Sequence, residues 1–230
     1  MTSDTESGAP VSGATVGRLP AYLRAVVDLV SLGLPSVSSD RLAEETGVNP
    51  ATVRRDLASL GIAGTRGLGY DLRYLIHEIG LLLGVSEDWP VVIVGAGNLG
   101  RALANYQGLA ARGFPVRALL DVDPTLVGAR FGQVEVLHLD EMERVVGEAG
   151  VGVGILATPA DQAQLVADRL VALGVSSLLN FTEETLVVPS WVEVRRVDLA
   201  TELQILSFYQ RRTTGARSGA GLPLGHESNP

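Results

Sequence analysis

The stretch that decides the fold is VVIVGAGNLGRAL, Val91 to Leu103. Four apolar, mostly β-branched residues in a row suit a strand buried on both faces. They run straight into Gly95-Ala96-Gly97-Asn98-Leu99-Gly100, a G-x-G-x-x-G that opens a helical pattern over Leu99–Arg112. The spacing alone is a weak signal. Here it has a strand before it, a helix after it, a second strand over Val116–Leu120 and an acid, Asp121, at that strand's end. Gly95 makes the tight turn, Gly97 lets backbone approach a pyrophosphate, and Gly100 lets the helix pack on the strand. The pyrophosphate of a dinucleotide would rest on the helix N-terminus, where amide dipoles favour an anion. Asp121 stands about where an acid binds the adenosine ribose, and Asp123 follows two residues later. Either could hold the ribose. Two carboxylates repel a 2′-phosphate, and no Arg neighbours them in sequence, which points to NAD(H) over NADP(H).

Outward from this stretch, apolar runs and helical patterns alternate. Strands are expected over Val134–Leu137, Val151–Ala157, Ser177–Asn180 and Val192–Arg196. Helices are expected over Asp140–Glu148 and Ala160–Leu173. That alternation is the signature of a parallel sheet in a Rossmann domain, residues 90–198. Ligands of such sheets sit beyond the carboxyl ends of the strands, so Ala157, Thr158, Pro159, Asn180 and Phe181 are candidates for the nicotinamide side. Thr158-Pro159 reads equally well as ordinary turn chemistry. His138, in an apolar run, reads as structural.

No catalytic residue emerges. All 18 basic residues are Arg, so a Tyr-x-x-x-Lys pair is impossible. Once the Rossmann pattern has used residues 90–198, only 199–212 remain, too little for a substrate domain. That argues against hydride transfer. The remaining segment, LATELQILSFYQRR, is unusually apolar for a chain end. Leu199, Leu203, Leu206 and Tyr209 mark one face, and Ile205 and Phe208 widen it. Such a helix either packs on its own subunit or implies a partner.

The front segment, residues 19–84, is helical. Pro20 suits a first helical position, with Leu23, Val26, Val27 and Val30 following at helical spacing. Ser39 can cap a second helix over Asp40–Thr46, and Gly47 makes a turn. Asn49 can cap a third helix beginning at Pro50. In PATVRRDLASL, Val53, Leu57 and Leu60 share the apolar face, while Thr52, Arg54, Arg55, Asp56 and Ser59 fall outside it. Two short helices about a Gly turn read as helix-turn-helix. The second would enter the major groove, where Arg reads guanine. GIAGTRGLGY, residues 61–70, suits a tight hairpin, a wing with Arg66 at its tip. Candidate DNA contacts are Asn49, Thr52, Arg54, Arg55, Ser59 and Arg66. From Pro50 to Arg73 four Arg face two Asp, a local basic excess in a chain of net charge −8.

Composition bounds the rest. The chain has 230 residues, 46% of them hydrophobic, enough for two small domains. Residues 1–18 and 213–230 are small, polar and aperiodic, and are expected to be disordered tails. Gly84–Pro90 reads as a hinge. There is no Cys and only three His, so disulfides and thiolate chemistry are excluded and no metal site is expected. No apolar run suits a membrane helix and no export signal stands at the N-terminus, so a cytoplasmic location is expected.

Taken together these motifs resemble the Rex family of redox-sensing transcriptional repressors. The resemblance rests on RLPAYLR at 18–24, GVNPATVRRDL at 47–57, RGLGYD at 66–71, VGAGNLGRAL at 94–103, DVDP at 121–124, LNF at 179–181 and VDLATELQ at 197–204. Leu57, Leu60 and Leu199 depart from the family pattern, which usually has aromatics there. The resemblance implies an α/β fold: an N-terminal winged helix-turn-helix domain, a Rossmann domain and a C-terminal helix swapped onto a partner in a homodimer. It implies binding to a palindromic DNA operator when NADH is scarce, release by NADH, and competition by NAD⁺ without release. Arg54, Arg55 and Arg66 carry over as DNA contacts. Gly95, Gly97, Asn98, Leu99, Gly100 and Asp121 carry over to the dinucleotide. Arg24, Tyr106 and Asp198 carry over as a switch in which Asp198 exchanges partners. Two other readings stand beside it: an NAD-dependent oxidoreductase with an accessory N-terminal helical domain, and a module for another adenine ligand such as coenzyme A.

Overall fold

The computed structural model describes residues 11–85 and 87–218, with side chains as far as Arg211. Residues 1–10 and 219–230, the outer parts of both expected tails, lie outside the described residues. The chain divides into two compact units between Asp88 and Trp89.

The first unit opens on helix α1 (Gly13–Ser31), whose N-terminus Ser12 caps by accepting from the Thr15 amide. The expectation of a tail through residue 18 and a helix starting at Pro20 is therefore corrected: Pro20 lies inside α1. The extra turns are anchored by side chains, since Thr15 and Arg18 both bond Asp56, far along the chain. Strand β1 (Ser36–Val37) leads to α2 (Ser39–Thr46), capped by Ser38 and not by Ser39. Left-handed Gly47 ends α2, and Asn49 caps α3 (Pro50–Ser59) through the Ala51 amide. After α3 the chain forms a wing, closed by a Thr65–Gly69 bridge, and returns as β2 (Tyr70–Asp71) antiparallel to β1. Helix α4 (Leu72–Leu82) covers the core of Leu19, Tyr22, Leu42, Val53, Leu57 and Leu75.

The second unit has a seven-stranded sheet. Its strands are β3 (Val91–Val94), β4 (Val116–Asp121), β5 (Arg130–Phe131), β6 (Val134–His138), β7 (Val153–Leu156), β8 (Ser177–Asn180) and β9 (Glu193–Arg196). Their order, β5-β6-β4-β3-β7-β8-β9, contains the doubly wound 3-2-1-4-5-6 arrangement of six parallel strands. Strand β5 adds an antiparallel edge that sequence reading missed; two residues carry no period to read. Alternate residues of β3 feed opposite cores, Val92 and Val94 on one side and Val91 and Ile93 on the other.

The helix expected over Leu99–Arg112 is broken. Helix α5 (Asn98–Asn105) stops at Tyr106, whose ψ of 97° leaves the helical region, and α6 (Gln107–Ala110) follows. The Tyr106 ring folds over Gly108, where an added Cβ would lie 2.4 Å from it. Helices α7 (Met142–Ala149) and α8 (Ala160–Ala172) pack on the opposite face of the sheet from α5. The terminal helix α9 (Leu199–Ser218) runs six residues beyond the expected end at 212. Its described side chains are all exposed, Leu203 by 65% and Leu206 by 62%. Among the described residues no helix is long and apolar enough to cross a membrane.

Candidate nucleotide crevice and nucleic-acid interface

Strands β4 and β7 leave β3 in opposite directions, and at this switch point a cavity of about 550 Å³ opens beyond their carboxyl ends. Backbone builds its floor. Gly95 has φ +106°, a region closed to most side chains, and a Cβ there would lie 2.4 Å from the Ala157 carbonyl oxygen. A Cβ on Gly100 would lie 1.8 Å from the Gly95 carbonyl oxygen, so the first turn of α5 can sit on this loop only as glycine. Gly97 differs: a Cβ there would meet nothing within 4 Å. Its missing side chain leaves room on the cavity side, which is the space a pyrophosphate needs. Asn98, Leu99 and Gly100 form the first turn of α5 but do not line the cavity; Ala96 does.

The Asp121 carboxylate is fixed by backbone. It accepts from the Ala96 amide at 2.6 Å and from the Asp123 amide at 2.9 Å. Asp123 accepts from the Thr125 amide and hydroxyl, bonds that hold its carboxyl below the usual range. Both acids line the cavity. So do Arg101 and Arg169, neither of them a sequence neighbour of the acid pair. Arg101 donates from Nε to the Ala96 carbonyl and stacks its guanidinium 5.1 Å over the Phe131 ring. It follows Gly100 directly, a position the helix turns toward Asp123, whereas sequence neighbourhood counted only residues beside 121.

On the opposite wall Thr158 and Pro159 line the cavity. Thr158 Oγ1 is buried and has no hydrogen-bond partner among the described residues. A buried hydroxyl left unpaired costs free energy, so this one points to a polar ligand atom. Together with the open space at Gly97, it is what a dinucleotide-filled crevice requires. Asn180 is placed otherwise. It is buried, donates to the Glu184 carbonyl and accepts from the Thr182 amide and hydroxyl, so its amide serves the turn after β8. Phe181 packs against the core on the α5 side. His138 accepts from the Asp140 amide and caps a 3₁₀ turn, Leu139–Glu141.

In the first unit, α3 presents two exposed arginines with different ties. Arg54 donates to the Ser39 hydroxyl at 2.8 Å; Arg55 makes no described bond. Arg66 is exposed on the wing. Asn49 is spent on its cap, and Ser59 donates back to the Asp56 carbonyl of its own helix. Thr52 is half-buried. Asp56, placed outside the apolar face by helical spacing, is buried.

Of the three switch candidates, Tyr106 and Asp198 lie in the second unit and share no described bond. Tyr106 accepts from Arg112 at 3.2 Å. Asp198 caps α9, accepting from the Ala200 and Thr201 amides and the Thr201 hydroxyl, with Arg196 at 3.7 Å. Arg24 is exposed on α1. Among the described residues, no group of three His, Asp or Glu side chains could hold a metal.

Two family models match the chain, one described as a putative DNA-binding protein N-terminus over residues 10–58 and one as a CoA binding domain over 86–184. The redox-sensing transcriptional repressor Rex of Streptomyces avermitilis is 53% identical over 207 residues, covering 90% of this chain and 82% of that protein. This chain belongs to the Rex family. Rex of Desulfitobacterium hafniense is 44% identical over 195 residues, covering 85% of this chain and 93% of the relative. The crystal structure of RSP, a Rex-family repressor, superposes with a TM-score of 0.82 at 32% identity, covering 93% of this chain and all of that one. RSP is also known in complex with β-NAD⁺ and operator DNA, and with β-NADH. As a Rex protein the chain is a redox-sensing transcriptional repressor and not an enzyme; its Rossmann domain is a sensor.

Proposed function

We propose that this repressor acts in the cytoplasm as a homodimer that grips a palindromic operator while NADH is scarce and lets go once NADH fills its crevice. The observation that carries the sensor half is the pairing, in one crevice, of open space over Gly97 with a buried Thr158 hydroxyl that has no partner among the described residues. Gly95, Ala96, Gly97 and the amides opening α5 would cradle the pyrophosphate, Asp121 or Asp123 would take the adenosine ribose, and Thr158 with Pro159 would face the nicotinamide. The nicotinamide supplies the redox state being read, and no residue of the chain need transfer a hydride. NAD⁺ competes for the crevice without releasing DNA.

Helix α9 supports the dimer. Its apolar side chains Leu199, Leu203, Ile205 and Leu206 are exposed in the single chain, which suits a helix reaching into a second copy. A two-fold dimer matches a palindromic site, with Arg54, Arg55 and Arg66 of each copy at one half-site. Asp198 stands one residue before α9, where a change of partner would move the dimer. In the switch reading Asp198 pairs with Tyr106 in one state and Arg24 in the other.

The test uses the full chain. A duplex is selected from random sequences by its binding, and mobility shift is repeated with NADH, NAD⁺ and NADPH. NADH alone should dissolve the complex. Equal release by NADPH would refute the ribose assignment, and no release by NADH would refute the sensor. For the switch, Asp198→Ala is compared with wild type at zero and saturating NADH. An unchanged ratio of the two operator affinities would leave Asp198 a helix cap only.

A further inference from the structure

Among the described residues, the DNA-reading unit buries one charged group, which lies off the reading face. Asp56 is 2% exposed, on α3 between the reader Arg55 and the core residue Leu57. Its carboxylate accepts four hydrogen bonds, all from α1. Arg18 donates two, from Nε at 2.6 Å and Nη2 at 2.7 Å; Tyr22 donates one at 2.7 Å and Thr15 one at 3.0 Å.

Stability alone does not explain such a cluster. Apolar side chains of similar volume commonly serve as well or better in a core, because a buried ion pair gives back most of its attraction in lost hydration. Directional bonds do what apolar contact cannot: they fix register. Four donors converging on one carboxylate leave α3 little freedom to rotate or slide against α1. Arg54 and Arg55 stand just before Asp56 in the same helical turn, so the angle at which they meet a base edge follows from it.

We propose that Asp56 is a positioning residue for operator reading, held by Arg18, Tyr22 and Thr15 so that α3 keeps one orientation on α1. The proposal rests on α3 being the helix that reads DNA. It adds that α1, which carries Arg24, and the reading face are coupled through this carboxylate.

The test measures three quantities on the full chain: thermal midpoint, affinity for a duplex selected in vitro, and affinity for a scrambled duplex of equal length. All binding is read well below the midpoint. Tyr22→Phe removes one bond and keeps the ring. It should weaken the selected duplex about threefold to tenfold and leave the scrambled one unchanged. Asp56→Asn should weaken the selected duplex more than about tenfold. A folded variant with a lower midpoint but an unchanged ratio of selected to scrambled affinity would make the cluster structural and overturn the proposal. Should Asp56→Asn fail to fold, Tyr22→Phe decides alone. Arg55→Ala is the control on the underlying reading: if it binds the selected duplex like wild type, α3 is not the reader, and that failure is distinct from failure of the clamp.

Discussion

The floor of the second unit's crevice is made of backbone, and the reading face of the first unit is made of side chains. At Gly95 and Gly100 the protein needs the absence of a Cβ, because backbone oxygens lie 2.4 and 1.8 Å from where one would be. On α3 it needs the presence of long side chains: two arginines outward and one buried aspartate inward. These two positions cannot be adjusted residue by residue, since a side chain at either collides with the scaffold itself. A side-chain site can be retuned at each position while its helix stays put.

The contrast is tested hardest at Gly100. Gly100→Ala drives a methyl into the Gly95 carbonyl, and neither partner is a movable side chain. It should destabilise the second unit by about 3 kcal/mol and abolish NADH binding, as read by denaturant unfolding and by nicotinamide fluorescence. Near-normal NADH affinity in this variant would break the backbone account.

Gly97→Ala sharpens it. The added methyl meets no protein atom and φ is negative, so unfolding should not change. NADH affinity should still fall about a hundredfold, near 2.7 kcal/mol, because the methyl occupies ligand space. Unchanged affinity would mean the ligand does not approach there. A change of stability equal to that of Gly100→Ala would erase the distinction between the two glycines.

On the side-chain site the expected effects are smaller and confined to DNA. Arg55→Ala should cost about 1–3 kcal/mol in binding a selected duplex with no change in NADH affinity. Arg54→Ala should also lose the tie to Ser39, so it should alter the unit's melting where Arg55→Ala does not. Equal melting in the two would show that the Arg54–Ser39 bond has no structural weight.

How much of this was legible follows the same division. The glycine spacing was readable because backbone conformation is a local demand, written at the residues that meet it. The parallel sheet followed from alternation of patterns, and the C-terminal helix from its period; the order of the strands did not. What escaped depended on partners far along the chain. Asp56 looked solvated by helical spacing, yet its Thr15 partner is 41 residues away. The same long-range tie hid the start of α1 at Gly13, whose residues look like tail until Asp56 is placed beside them. Arg101 was passed over as the residue after a motif, and only the folded turn brings it to the cavity that holds Asp123. The break at Tyr106 depends on a ring lying over Gly108, which periodicity does not encode.

The smallest expected effect probes the buried cluster through protons. Burial, followed by the adjoining Asp56 carboxylate, pushes the Tyr22 phenol up to about 12 from an ordinary 10. Arg18 opposes that rise but does not cancel it. Below pH 10 the phenol is protonated in both the folded and unfolded chain, and its contribution to stability is complete. Between pH 10 and about 12 the unfolded chain gives up the proton while the folded chain keeps it, so unfolding gains. At pH 11 the loss of stability should be about 1 kcal/mol. Asp56 has the opposite sense. Its carboxyl is held below its ordinary value, first by the bonds from Arg18, so its contribution is present above about pH 4 and is lost as pH falls through the lower folded value. Urea unfolding of wild type and Tyr22→Phe, followed from pH 8 to 11.5, isolates the alkaline limb. The difference in stability between the two should shrink steadily above pH 10, because the variant has no phenol to titrate. A constant difference across that range would mean that Tyr22 keeps its ordinary proton affinity in the folded chain.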